Sequence, residues 1–421
     1  MRSFRFVHAA DIHLDSPLRG LTRHEGTATE RIRTATRSAF DGLVSEAIDQ
    51  KVAFMVIAGD LYDGNWKDFH TGLYFSHQMG RLAQVGIHAF VLHGNHDAES
   101  QITKRLQLPD NVSVFPHRKA GTFILDEWRV ALHGRSFPEA AVTEDLVPGY
   151  PEPVPDHFNI GVLHTALGGM GEHLNYAPCS LDELTAKGYQ YWALGHVHQR
   201  QILREHPHIV FPGNLQGRHI RETGAKGALL VTVEEGEVTD LTPLHTDVVR
   251  WSRLTVPVEK CRSMEDVLEG VREALERATT TEADGRLLAC RVELTGQTSL
   301  HGALWGATDQ LLAEAQATAL GLGEDVAWIE KIALETTPVP GDGAADPDNA
   351  LGALRGLLAE APRDPDLLDQ LTTNLGEFMR KLPADLRREV EDPALKAAVS
   401  GDYVKVVEQT RDELLSRLEG A

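Results

Sequence analysis

Apolar and polar positions alternate in two different rhythms along the N-terminal part of the chain. An apolar run at about residues 4–9 reads as a strand, a helical stretch follows near 30–50, and AFMVIAG at 53–59 reads as a second strand. A helix near 68–84 and a further strand at 88–95 continue the series. Strands and helices taking turns at this spacing predict an α/β sheet with helices packed over its faces. In such sheets ligands collect where strands end and loops begin.

Shorter β-rich segments follow through about residue 245, among them FNIGVLH, YQYWALG, HIVFPGN and GALLVTV, with turn residues between them. A layered sandwich of sheets with outer helices fits this order. The proline- and acid-rich loop from Phe137 to Asp156 is expected to run over the surface. Between about 250 and 337 the order becomes strand, helix, strand, helix, strand, which predicts a small α+β domain. A Pro-, Gly- and Asp-rich stretch then reads as a linker, and beyond it short helices are expected, broken at Pro362, Pro365, Pro383 and Pro393. The expected boundaries are therefore 1–248, 249–337, 338–349 and 350–421.

Composition adds limits to this picture. With 421 residues the chain is too long for one ordinary domain, and 42% hydrophobic with 24% charged residues matches a globular protein. The start carries no long apolar segment, and no run approaches bilayer length, so a cytoplasmic protein without membrane contact is expected. Cys179, Cys261 and Cys290 are scattered and lack any Cys-x-x-Cys spacing, which speaks against a disulfide framework and a thiolate zinc site. A net charge of -21 argues against a generally basic surface for nucleic acid. It leaves open a local basic patch, bound metal ions or a basic partner.

Five short motifs carry the candidate chemistry: Asp11-Ile12-His13, Gly59-Asp60 followed by Asp63, Gly94-Asn95-His96-Asp97, Val162-Leu163-His164 and Gly195-His196-Val197-His198. Each follows an apolar run, so all five fall at strand ends, where residues distant in sequence can converge. Carboxylate, amide and imidazole donors together suit divalent transition metals. Two ions held close together need a bridging ligand, and Asp60 is the natural bridge. Asp-x-His and His-x-His on extended backbone place both side chains on one face. His96 beside Asp97 has the form of an acid and its orienting partner, and both are candidate catalytic residues.

These ordered motifs resemble the calcineurin-like metallophosphoesterase superfamily. More narrowly, ADIHLDSP and PGNLQGRHIRETGAKG look like its DNA-repair exonuclease branch, the YhaO-type proteins related to SbcD nuclease subunits. The resemblance covers about residues 5–245 and implies a four-layer sandwich of two β-sheets flanked by helices, with a small α+β cap domain and a C-terminal helical segment. It implies one ion held by Asp11, His13, Asp60 and His198, and another by Asp60, Asn95, His164 and His196. His96 would be the non-ligand histidine at the transition state or leaving oxygen. The implied activity is two-metal hydrolysis of phosphodiesters in DNA by a hydroxide between two Mn2+ ions, with no covalent enzyme intermediate. Residues 350–421 would bind an SMC-like coiled-coil ATPase, and helices of the catalytic domain, including 68–84, would pair two copies in a homodimer.

Some residues keep two readings. Arg218, His219 and Arg221 either bind a substrate phosphate or form a polar surface loop. His173 either enters the cleft or does not. His8, His93 and His133 are expected to be structural histidines, and Trp192 a core residue. Two further functions share the same motifs. One is a metallophosphatase or small-molecule phosphodiesterase, and the other an ATPase adaptor with a vestigial metal site.

Overall fold

The computed structural model describes residues 3–16, 27–63, 69–99, 107–168, 176–339, 350–382 and 392–419, together with Arg387 and Val390. The chain divides into two compact units, one of residues 1–252, 279–289 and 324–328 and the other of 253–278, 290–323 and 329–421.

The first unit is built on two six-stranded mixed sheets. Strands β1 (Phe4–Ala9), β2 (Phe54–Ala58), β3 (His88–Leu92) and β4 (Val112–Val114) run parallel in one sheet. β5 (Gly121–Leu125), β6 (Val130–Gly134), β7 (Phe158–His164), β8 (Tyr191–Gly195), β9 (Gln201–Glu205) and β10 (His208–Phe211) form the other, in the order β5-β6-β7-β8-β10-β9. β11 (Ala228–Glu234) and β12 (Glu237–Leu244) complete the first sheet antiparallel beside β1. The expected sandwich of two sheets is the observed fold.

Alternation along the strands builds the layers. Phe4 and Phe6 of β1 and Phe54, Val56 and Ala58 of β2 turn toward Val130, Ile160, Val162 and Tyr191 of the facing sheet. Phe6 stacks on Phe54 at 5.0 Å and meets Tyr191 edge-on at 5.4 Å. The intervening residues Val7, Ala9, Met55 and Ile57 turn the other way. They pack on helices α1 (Thr27–Asp49) and α2 (Phe69–Gln84) through Phe40, Leu43, Phe75 and Met79. This period-two division between a helix face and a sheet face is what buries β2 completely and β1 except at Arg5.

The outer face of the second sheet departs from expectation. Phe137, Val142, Leu146, Val147 and Tyr150, from the loop expected on the surface, are buried with Trp192, Leu194 and Phe211. The apolar residues interspersed among the prolines outweigh the loop-like composition, and the Tyr150 hydroxyl donates to the Val162 carbonyl at 2.6 Å. The short helix α4 (Leu181–Ala186), started by a Ser180 capping box, contributes Leu184 to the same layer. Its predecessor α3 (Asn95–Glu99) cuts short the strand expected to reach residue 95, so β3 ends at Leu92.

In the second unit and the segments around it, β13 (Val249–Pro257), β14 (Leu287–Thr298) and β15 (Ala327–Pro338) form a three-stranded sheet in that order. Helix α5 (Met264–Thr281) joins the first two, and α6 (His301–Gly306) and α7 (Thr308–Leu322) join the last two. The one helix expected between the last two strands is thus two, broken at Ala307, whose amide closes on the Ala303 carbonyl. Beyond residue 349 lie α8 (Ala350–Glu360), α9 (Pro365–Lys381), α10 (Pro393–Ser400) and α11 (Tyr403–Glu419). Pro365 and Pro393 open helices with Asp364 and Asp392 as N-caps, because a first-turn proline loses no hydrogen bond. Met379, Ala397, Ala398 and Val406 form a small shared core, and α11 also packs on α6. Residues 340–349 of the expected linker, and Pro383, lie outside the described residues. No helix among the described residues is long and apolar enough to cross a membrane. All three cysteines are free thiols.

Candidate metal centre

The five motifs meet because they leave the same end of facing parallel strands. The turn after β1 is zipped to the turn after β2, with Asp11 N donating to Gly59 O and His13 N to Asp60 O, each at 3.0 Å. The amide of His196, after β8, donates to both carboxylate oxygens of Asp11 at 2.9 and 3.1 Å, which ties the two sheets together. Asp11, His13, Asp60 and His196 have φ values of 50°, 46°, 51° and 103°. Such left-handed backbone is disfavoured for residues with a Cβ and is tolerated where surrounding structure imposes it, commonly at functional sites. Glycines make room at three of the motifs, Gly59, Gly94 and Gly195. A Cβ on Gly94 would lie 2.3 Å from Asp60 Oδ1, and one on Gly195 would lie 1.9 Å from the Ala58 carbonyl oxygen.

Three groups of ligand atoms result, each with its members within 4.8 Å of one another: Asp11, His13 and His198; Asp60, His164 and His196; and His13, Asp60 and His96. The Nε2 atoms of His13 and His198 face each other at 3.3 Å. Asp60 Oδ2 lies 3.9 Å from His13 Nε2 and 3.4 Å from His164 Nε2, between the first two groups. Asn95 joins the second group, its Oδ1 3.0 Å from His164 Nε2. Nδ1 of His164 is 3.0 Å from the Ala58 carbonyl, and because a carbonyl only accepts, that nitrogen carries the proton and leaves Nε2 as a lone-pair donor.

The donor set fits metal ions electrostatically as well as chemically. Asp11 and Asp60 are both about 1% exposed. Burying an uncompensated carboxylate costs several kcal/mol, so cations between them offset a real penalty. Burial raises the Asp11 carboxyl against the opposing pull of His198 and His164. At Asp60 burial is outweighed by His164, His96 and His13, which hold it well below the ordinary range. Burial would lower His164, but the charge and hydrogen bond of Asp60 draw it up to about 9. The two groups centred on Asp11 and Asp60 form a site for two metal ions.

Residues 4–200 match the family model for calcineurin-like phosphoesterases, and residues 251–337 match that for the middle domain of metallophosphoesterase YhaO. The uncharacterized metallophosphoesterase YhaO of Bacillus subtilis (strain 168) is 34% identical over 278 residues, covering 65% of this chain and 67% of that protein. The chain belongs to the calcineurin-like metallophosphoesterase superfamily. Within that superfamily, the phosphoesterase is also similar to two proteins named as DNA double-strand break repair protein Mre11. The Methanopyrus kandleri protein is 27% identical over 288 residues, 61% of this chain and 59% of that protein. The Sulfurisphaera tokodaii protein is 22% identical over 284 residues, 62% of this chain and 68% of that protein.

The phosphoesterase places His96 and Asp97 differently from their expected pairing. Asp97 is fully buried and accepts from the amides of Leu61, Tyr62 and Gly94 at 3.1, 2.8 and 3.0 Å, fastening two loops together. Burial and the charge of Asp60 push it up to about 7 while these amides pull down. The carboxylate beside His96 is Asp63, 2.9 Å from its Nδ1. Burial would lower His96, but Asp60 and Asp63 raise it to about 9, and 40% of its side chain remains exposed. Asp63 also lies 3.5 Å from His13 Nδ1 and accepts from the Ser16 hydroxyl at 2.6 Å. Along the chain Asp63 stands out only by lying three residues after Asp60.

Arg218 lies at the centre, with Nη2 3.4 Å from His198 Nδ1 and Nη1 4.0 Å from Asp63. His219 lies beside it, 3.6 Å from Glu222, and Arg221 is exposed. His8 is buried between the Tyr191 hydroxyl and the Leu194 carbonyl, and His133 between Thr122 and Asn159. The His93 amide donates to the Ser136 hydroxyl at 3.0 Å. Trp192 is core, its indole donating to Leu184 O. His173 lies outside the described residues.

Proposed function

We propose that this protein is a Mn2+-dependent DNA nuclease of the repair-exonuclease type. The observation that carries the reading is the similarity to the two Mre11 proteins over a span of about three-fifths of the chain, as long as the unit that holds the metal-ligand groups. Asp11, His13, Asp60 and His198 would hold one ion, and Asp60, Asn95, His164 and His196 the other. Bound divalent ions would supply Lewis acidity toward a phosphodiester and a water nucleophile.

The protein's own groups do the rest. His96, half-open to solvent and hydrogen-bonded to Asp63, donates a proton to the leaving oxygen. Arg218, a fixed cation beside His198, binds a phosphate oxygen, with His219 next to it. Local positive charge of this kind is what a chain of net charge -21 needs for a polyanionic substrate. Purified protein with Mn2+ is expected to cleave linear duplex or single-stranded DNA far faster than p-nitrophenyl phosphate. Efficient hydrolysis of the monoester without DNA cleavage would sink the nuclease reading in favour of a phosphatase. Inactivity on both substrates with two ions bound would favour an adaptor.

The C-terminal helices support the proposed SMC-like coiled-coil ATPase as partner. Leu357 is 74% and Phe378 57% exposed on α8 and α9. Large apolar side chains this exposed are candidates for cover by a partner, and a helical partner surface is one that apolar helix faces commonly dock on. Leu357→Glu with Phe378→Glu in the full chain should abolish co-purification with a co-expressed ATPase of this kind. Mn2+-dependent cleavage of short DNA should stay unchanged. Retained association would count against this surface. A homodimer through α2, where Leu73 is 60% exposed, would instead appear as a doubled mass in sedimentation.

A further inference from the structure

Glu222 is a buried carboxylate, 6% exposed, that faces no proposed ion directly and belongs to none of the five motifs. Its Oε1 is 2.7 Å from His198 Nδ1 and accepts from Arg218 Nη2 at 3.0 Å. Oε2 accepts from the Arg218 amide at 2.7 Å, from Asn214 Nδ2 at 3.0 Å and from Arg218 Nε at 3.4 Å. Both oxygens are therefore engaged, by a metal-site histidine, the neighbouring arginine and an asparagine from the turn after β10, with His219 Nε2 a further 3.6 Å from Oε1.

We infer that Glu222 is a positioning residue that sets the ring tautomer of His198 and, through the same carboxylate, aims Arg218 at the substrate phosphate. An ionised carboxylate can only accept, so a 2.7 Å approach requires the proton on Nδ1 of His198. Nε2 is then the lone-pair atom, and it is the atom that lies 3.3 Å from His13 Nε2 and 3.8 Å from Asp11. The opposite tautomer would press two acceptors together. His164 obtains the same tautomer from the Ala58 carbonyl, a neutral acceptor, so the two ions differ in this respect. A carboxylate raises the basicity of its imidazole partner more than a carbonyl does, which strengthens the ligand on the His198 side. Arg218 is held by Glu222 through its main-chain amide as well as its guanidinium, while its other guanidinium nitrogen faces Ser16 and Asp63 at 3.5 and 4.0 Å. The buried Lys226 ammonium, donating to the His198 carbonyl at 2.8 Å, fixes the backbone of the same histidine from another side.

This inference rests on the reading of His198 as a metal ligand, and its tests separate the two. In calorimetric titration with Mn2+, Glu222→Gln should weaken one of two sites by about 10- to 100-fold and leave the other unchanged. Glu222→Asp should restore part of the loss. At saturating Mn2+, the remaining defect of Glu222→Gln on bis(p-nitrophenyl) phosphate should fall on KM, through Arg218. A residue that merely stabilised the loop would lower the folded fraction without splitting the two sites. His198→Ala should remove one ion; retention of both would overturn the ligand reading and this inference with it. Loss of one ion in His198→Ala with unchanged Mn2+ affinities and KM in Glu222→Gln would overturn the inference alone. Should Glu222→Gln not fold, nitrogen-15 NMR of the metal-free native protein decides: a protonated Nδ1 on His198 is expected, and a protonated Nε2 would refute the role.

Discussion

Asp60→Ala is expected to empty both metal positions and to abolish phosphodiester cleavage. The carboxylate lies between the two donor groups, with Oδ2 3.4 Å from His164 and 3.9 Å from His13, and Oδ1 accepts from the His96 amide at 3.0 Å. Removing it takes a shared ligand from each ion and also loosens the loop that carries Asn95 and His96. Charge stabilisation by bound metal is worth several kcal/mol, and a loss of about 4 kcal/mol corresponds to about a thousandfold in rate. Asp60→Asn, which keeps the shape and the acceptor for His96, should lose metal almost as completely, because an amide oxygen brings no charge to the two cations. Elemental analysis for Mn measures occupancy directly. Thermal melting supplies a second readout, since an ion that binds only the folded state raises Tm and a chelator reverses it. In both variants Mn2+ and chelator should no longer move Tm. Two ions per chain with near-normal cleavage in Asp60→Ala would refute the bridging assignment.

His96→Ala should separate chemistry from binding. Its Nδ1 is engaged by Asp63, and its ring stands at the open side of the site, so both ions should remain while turnover falls by about a hundredfold to ten-thousandfold. His96 also falls in a donor group with His13 and Asp60, and metal analysis of the variant tests that competing role directly. The pH profile gives an independent check. A general acid works in its protonated form, so cleavage should fall as pH rises through the pKa of His96. Burial lowers that pKa, but Asp60 and Asp63 raise it to about 9; bound ions offset the charge of Asp60, so the falling limb should lie at or below this value. His96→Ala should lose the limb, and Asp63→Asn should move it to lower pH. A variant with unchanged turnover at saturating Mn2+, or one lacking an ion, would remove His96 from this role.

The period-two and helical patterns determined most of the first unit, because strands buried on both faces are written as continuous apolar runs and their ends as glycine, aspartate and histidine. Phe4–Ala9, Phe54–Ala58 and the helices between them follow directly from that pattern. Order and spacing likewise marked Asp11, His13, Asp60, Asn95, His164, His196 and His198 as a set, since parallel strands deliver their loops to one end of a sheet. Pattern could not reveal which side chains meet across that end. The partner of His96 is Asp63 rather than its neighbour Asp97, because the tight turn into α3 points Asp97 inward onto backbone amides. Glu222, within PGNLQGRHIRETGAKG but outside the five metal motifs, reaches His198 only once the turn after β10 folds back over the site. The loop around Phe137 to Tyr150 is buried because the outer face of the second sheet offers apolar side chains for it to cover. Sequence determined the ligand types and the strands that carry them; tertiary structure alone decided the pairings, because hydrogen bonds to buried imidazoles depend on distance and direction between elements that local periodicity does not encode.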